Sequence, residues 1–174
     1  MVTVSSIAHR SGAINLHDLN WERRPYREPR AYAQSKLANL LFTAELQRRL
    51  EGAGSEVLSL AAHPGLAAIS LVRTRRRPRL VETGNDALVA LLGHDGTGGA
   101  QPTLMAATAG LPGDTFVGST GHLSTRGEPG PVERSARAED TQMARSLWSL
   151  SEELTCVSFP QGGPVRRDAA TRTA

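Results

Sequence analysis

Two short runs of β-branched and aliphatic residues bracket one long helical stretch, and that order sets the fold class. Val2-Thr3-Val4-Ser5-Ser6 reads as the end of a buried strand running into hydroxyls. Val57-Leu58-Ser59-Leu60-Ala61-Ala62-His63-Pro64-Gly65 reads as a second buried strand stopped by Pro-Gly. Between them Leu37, Leu40, Leu41, Ala44 and Leu50 recur at helical spacing as a broad apolar stripe, expected to serve as core and oligomer surface. The pattern predicts strand Met1 to Ser5, a loop from Ser6 to Arg30, helix Ala31 to Ala53, strand Glu56 to Ala62 and an irregular stretch to about Gly96. A helix from about Gly99 to Ala109, a short strand at Thr115 to Gly118, a polar loop through Pro131 and a helix from about Arg137 to Leu154 complete it. There are no internal repeats, and strands alternating with helices make this an α/β chain.

The helical stretch carries the only lysine. Lys36 follows Tyr32 by four residues, while the remaining cationic side chains among the 20 Lys and Arg are all arginine. A composition that keeps lysine only here suggests that the position needs an ammonium. An i,i+4 spacing puts phenol and ammonium on one helix face. A fixed positive charge beside a phenol favours the ionised form, which suits the pair to exchanging a proton. Tyr-x-x-x-Lys alone is a weak signal, and its context strengthens it.

That context resembles the second half of a short-chain dehydrogenase/reductase: a strand with terminal serines, a helix with Tyr and Lys, and a strand ending in Pro-Gly. Leu19-Asn20-Trp21-Glu22, Tyr32-Ala33-Gln34-Ser35-Lys36-Leu37-Ala38-Asn39-Leu40-Leu41-Phe42 and Ala62-His63-Pro64-Gly65 resemble the retinol-dehydrogenase-like branch. The match is dense from Val2 to about Leu71 and looser from Gln101 to Thr155. The resemblance implies a partial Rossmann-like, doubly wound parallel sheet whose N-terminal cofactor-binding half is missing. It implies a nicotinamide-dependent oxidoreductase acting on an alcohol or carbonyl, with NAD or NADP as cofactor and NADP slightly favoured. Tyr32 is then the general acid/base, Lys36 its electrostatic partner and a ligand of the nicotinamide ribose, and Ser6, preferred to Ser5, the hydroxyl on the substrate oxygen. Pro64 and Gly65 pass beside the nicotinamide. The family's usual threonine four residues after that glycine is replaced by Ile69, which leaves Ser70 as the candidate for the carboxamide bond.

A Gly-rich turn between a first strand and helix normally cradles the pyrophosphate. No such turn precedes Met1, and Gly93-His94-Asp95-Gly96-Thr97-Gly98-Gly99 does not fit G-x-G-x-x-G and reads as a loop. The chain as given is therefore expected to be inactive alone and to need a complementing N-terminal half or to form a homo-oligomer. A non-catalytic remnant or interaction module that retains the signature is the alternative.

Other chemistries fit poorly. The five histidines, His9, His17, His63, His94 and His122, show no metal-ligand spacing, so no metal is expected, and His63 reads as a strand-end residue packed beside the cofactor pocket. A Ser6, His63 and Asp18 or Asp86 hydrolase lacks a G-x-S-x-G elbow. The net charge of +3 mixes 17 acidic residues among 20 basic ones, and only Arg73 to Arg79 concentrates charge, read as a solvated loop and not as a nucleic-acid contact. Cys156 is the only cysteine, which with the lack of a signal or membrane span points to a cytoplasmic chain. Residues 1–157 read as one domain and 158–174, rich in Pro, Gly, Arg and Thr, as a disordered tail.

Overall fold

The computed structural model describes residues 1–65, 96–121 and 127–159. Ile69, Ser70, Asp86, His94, His122, the arginines from Arg73 to Arg79 and the tail beyond residue 159 lie outside the described residues. Strand β1 (Val2–Val4) leads through two 3-10 turns, Ile7–Ser11 and Leu16–Asp18, to helix α1 (Glu28–Gly52), then strand β2 (Leu60–Ala62). Helix α2 (Gly96–Thr108), strands β3 (Phe116–Ser119) and β4 (Pro129–Pro131), and helix α3 (Thr141–Thr155) follow.

The four strands form one sheet in the order β1-β2-β3-β4. The first three run parallel, with Val4 opposite Ala62 and Ala62 opposite Val117. The fourth is antiparallel and makes the sheet mixed, although Pro-Gly-Pro reads as a loop in the sequence. Its bonds explain how prolines are tolerated. Thr120 N–H donates to Glu128 O at 2.9 Å and Val132 N–H to Phe116 O at 2.8 Å, so the even-numbered residues face β3. Pro129 and Pro131 turn their missing N–H outward, where no partner strand among the described residues needs it.

Side-chain alternation divides the core in two. Ala61 and Phe116 face Leu37, Leu40 and Leu41 of α1 and Ala144 and Leu147 of α3. Leu60, Ala62 and Val117 face the opposite side and meet Ala106 of α2. The result is an α/β sandwich, with α1 and α3 on one face and α2 on the other. Residues 96–99, expected as loop, instead open α2. Each glycine costs a helix interior roughly 1 kcal/mol against alanine, and packing of the Met105–Ala106 end on the sheet offsets it.

Candidate active site

Ser6, Tyr32, Lys36, Pro64 and Gly65 all belong to elements that meet at the carboxyl ends of β1 and β2, the end of an open α/β sheet where ligands gather. Residue order places Ser6 just beyond β1 and Pro64-Gly65 just beyond β2, while α1 lies across both strands. Pro29, at the second helical position of α1, needs no intrahelical N–H partner, so the helix starts at Glu28, three residues earlier than expected.

The two serines after β1 have different environments. Ser5 is 2% exposed, and its Oγ donates to the Lys36 carbonyl at 2.8 Å. Ser6 caps the following 3-10 turn, with Oγ accepting from Ala8 N–H at 3.2 Å. Its hydroxyl hydrogen is not used by that cap. The Ser6 carbonyl is held in turn by buried His9, whose Nδ1 lies 2.7 Å away. Ser135 N–H approaches His9 Nε2 at 3.1 Å, which makes Nε2 the acceptor and puts the ring hydrogen on Nδ1. Burial first of all, and then Arg10 and Arg134, lower the His9 pKa, against the opposing Ser6 hydrogen bond, and favour this neutral tautomer.

On α1, Tyr32 is 38% exposed, and Lys36 Nζ sits 5.5 Å from its ring centroid. Lys36 Nζ donates to Val4 O at 3.3 Å, and Asn39 Nδ2 donates to the same oxygen at 2.9 Å. These exposed bonds are worth about 1 kcal/mol each. Burying Leu37, Leu40 and Leu41 is worth roughly 1.5–3 kcal/mol per side chain, so packing holds the helix and the polar pair sets its position against the strand end. Asn39 is the residue that the sequence reading leaves without a role. Its place three residues after Lys36, on the same helix face, is the signal.

Beyond β2, Gly65 takes φ 69°, a left-handed conformation that favours glycine, and its N–H donates to His63 Nδ1 at 3.1 Å. His63 is 1% exposed and tilted against Phe116, with ring centroids 5.1 Å apart. A Cβ at Gly118 would lie 2.0 Å from its Nε2. Burial, followed by the influence of His9 and Arg10, lowers its pKa to about 4. This buried, neutral ring is the strand-end residue of the sequence reading and is not placed as a base. Among the described residues the hydrolase arrangement does not form either. Asp18 Oδ1 accepts from the N–H groups of Glu22 and Arg23 at 2.7 and 3.1 Å, and its carboxylate pairs with Arg24. His63 Nδ1 is bonded to the Gly65 amide, not to a carboxylate.

Among the described residues no group of three or more His, Cys, Asp or Glu could hold a metal ion, and no helix is long and apolar enough to cross a membrane. No family model matches the chain. Retinol dehydrogenase 13 of Mus musculus is 35% identical over 178 residues, covering 99% of this chain and 50% of its own length. A short-chain dehydrogenase/reductase of Colletotrichum higginsianum is 33% identical over 164 residues, covering 87% of this chain and 39% of its own. The crystal structure of an uncharacterized protein from Mycobacterium Paratuberculosis is 50% identical, with a TM-score of 0.72 over 91% of this chain and 51% of that one. The chain spans about half the length of the curated relatives it matches. On these similarities and on the shared fold, it belongs to the short-chain dehydrogenase/reductase family, alongside the retinol dehydrogenases.

Proposed function

We propose that the chain contributes the reacting groups of a nicotinamide-dependent oxidoreductase that interconverts an alcohol and a carbonyl. The observation that carries the reading is the attachment of the Tyr32 face of α1 to the end of β1, through Lys36 and Asn39 on one carbonyl, Val4 O. On this reading a solvent-accessible phenol, an ammonium and a strand-end hydroxyl act together at one end of the sheet. Ser5 is engaged in the interior, which supports Ser6 as the hydroxyl that donates to the substrate oxygen. Tyr32 gives that oxygen a proton in reduction and removes it in oxidation, and Lys36 stabilises the ionised phenol.

NAD or NADP suits the nicotinamide end of such a site. Lys36 offers a donor, and the Pro64-Gly65 turn, left-handed at Gly65, offers backbone without a Cβ to obstruct a flat ring. The cofactor, when bound, supplies or accepts the hydride. Among the described residues no Gly-rich strand-to-helix turn cradles a pyrophosphate, so that part of the cofactor is assigned to residues outside them. Ser70 remains the candidate for the carboxamide contact.

The test is to join this chain to the portion of a retinol dehydrogenase that it does not cover, then titrate NAD and NADP. Binding that weakens at least several-fold in Lys36→Met supports the reading. Equal affinity with and without the ammonium would remove Lys36 from the cofactor site.

A further inference from the structure

A cavity of about 530 Å³ lies between the loop after β1 and the start of α1, lined by Ser11, Ala13, Trp21, Arg24, Pro25, Arg27 and Arg30. At roughly 100° per helical residue, Arg30 lies about 160° around α1 from Tyr32, and Arg27 precedes the helix as its extended N-cap, so this cavity is separate from the Tyr32 face. Its volume falls within the range of small-molecule sites, about 300–1,000 Å³.

The lining side chains are rich in donors. Three are guanidinium groups, and no carboxylate is among them. Arg24 is already engaged: it pairs with Asp18, donates to Gln34 Oε1 at 2.7 Å and lies 3.7 Å over the Trp21 ring. It serves to brace the indole. Arg27 and Arg30 are exposed and have no ion pair among the described residues. Trp21 holds its ring there from a left-handed backbone, φ 61°, which non-glycine residues uncommonly adopt. Its buried Nε1 has no hydrogen-bond partner among the described residues. An indole wall, braced by Arg24 and by the T-shaped Tyr26 ring at 5.9 Å, and two guanidiniums without an ion pair among the described residues call for one class of ligand.

We propose that this cavity binds a small organic anion, its flat apolar body against Trp21 and its carboxylate or phosphate held by Arg27 and Arg30. Charge-assisted bonds to guanidinium provide the affinity, and the indole selects for the apolar body.

The test uses the chain itself, with the fluorescence of Trp21 as reporter and Trp21→Phe to separate it from Trp148. Benzoate and phenyl phosphate are the anionic probes, benzyl alcohol the neutral one, and inorganic phosphate the anion without a body. The expected result is saturable quenching by an aromatic anion, absent in Trp21→Phe, at least ten-fold tighter than for benzyl alcohol. The tighter of the two probes tells carboxylate from phosphate. Arg27→Gln with Arg30→Gln should weaken binding at least ten-fold without changing the melting temperature, since both side chains are exposed. No saturable quenching, equal binding of the neutral probe, equal binding of inorganic phosphate, or indifference to the arginine changes would overturn the proposal. None of these readouts depends on Tyr32, so the two sites stand or fall separately.

Discussion

Ser5 and Ser6 are adjacent, yet one hydroxyl is sealed against α1 and the other caps a partly open turn. Ser5→Ala should therefore lower stability by about 0.5–1.5 kcal/mol and leave turnover nearly intact. Ser6→Ala should do the reverse, lowering turnover of the completed enzyme with little change in the denaturation midpoint; the opposite pattern would exchange their roles. His63 supplies the clearest pH prediction. Its pKa falls from 6.5 to about 4 on burial, so the unfolded chain binds the extra proton between those values. Its contribution is complete above about pH 6.5 and is lost as pH falls toward 4, on the order of 3 kcal/mol in all. Melting temperature should thus drop between pH 7 and pH 5, with a shallower slope in His63→Gln; an unchanged slope would assign the loss to other groups. Gly118→Ala, which drives a methyl into that ring, should cost about 1–3 kcal/mol in urea unfolding. At this scale the sequence shows Tyr32, Lys36 and the tandem serines through their spacing. It does not show His9, whose role depends on the amide of Ser135, 126 residues away.

The start of β2 shows what fixes an element where propensity does not. Val57 and Leu58 belong to the same aliphatic run as Leu60, yet they are 53% and 41% exposed; the regular strand starts at Leu60, whose N–H meets Met1 O at 2.9 Å, after Leu58 O has accepted from the Met1 amine at 2.6 Å and Ser59 O from Asp114 N–H at 2.7 Å. Just before it, Ser59 N–H donates to Gln47 Oε1 at 2.7 Å, and Gln47 Nε2 reaches Glu51 Oε1 at 2.9 Å. The α1 side chain thus takes the place of a strand neighbour. Gln47→Leu would leave the Ser59 amide buried and unpaired, a cost of about 1–3 kcal/mol measurable by chemical denaturation. A loss below about 0.5 kcal/mol would mean that water replaces the amide. Composition reveals the α1 stripe, β1 and the core of β2, because their periodicity matches their burial. It conceals β4, where outward prolines look like breakers, and the opening turn of α2, where glycines look like loop.

Across the whole molecule, helices cover both faces of the sheet, but among the described residues β1 has a strand neighbour on one side only. On the other side Lys36 and Asn39 occupy Val4 O but leave the rest of the edge unpaired among the described strands, and Val4 itself is 45% exposed. A bare parallel edge of this kind is a template for pairing with another chain. The chain on its own should self-associate with rising concentration in sedimentation velocity, and a complementing half should suppress that association. A concentration-independent monomer would mean that the edge is already covered. The central claim is that this chain carries the proton-transfer chemistry of an oxidoreductase whose phosphate cradle lies outside the described residues. Its most direct test is nicotinamide-dependent turnover of the chain joined to the remaining portion of a retinol dehydrogenase, with Tyr32 and with Tyr32→Phe. The account predicts turnover in the first and a loss of about 10²–10⁴-fold in the second; turnover of the phenylalanine protein within two-fold of its parent would contradict it.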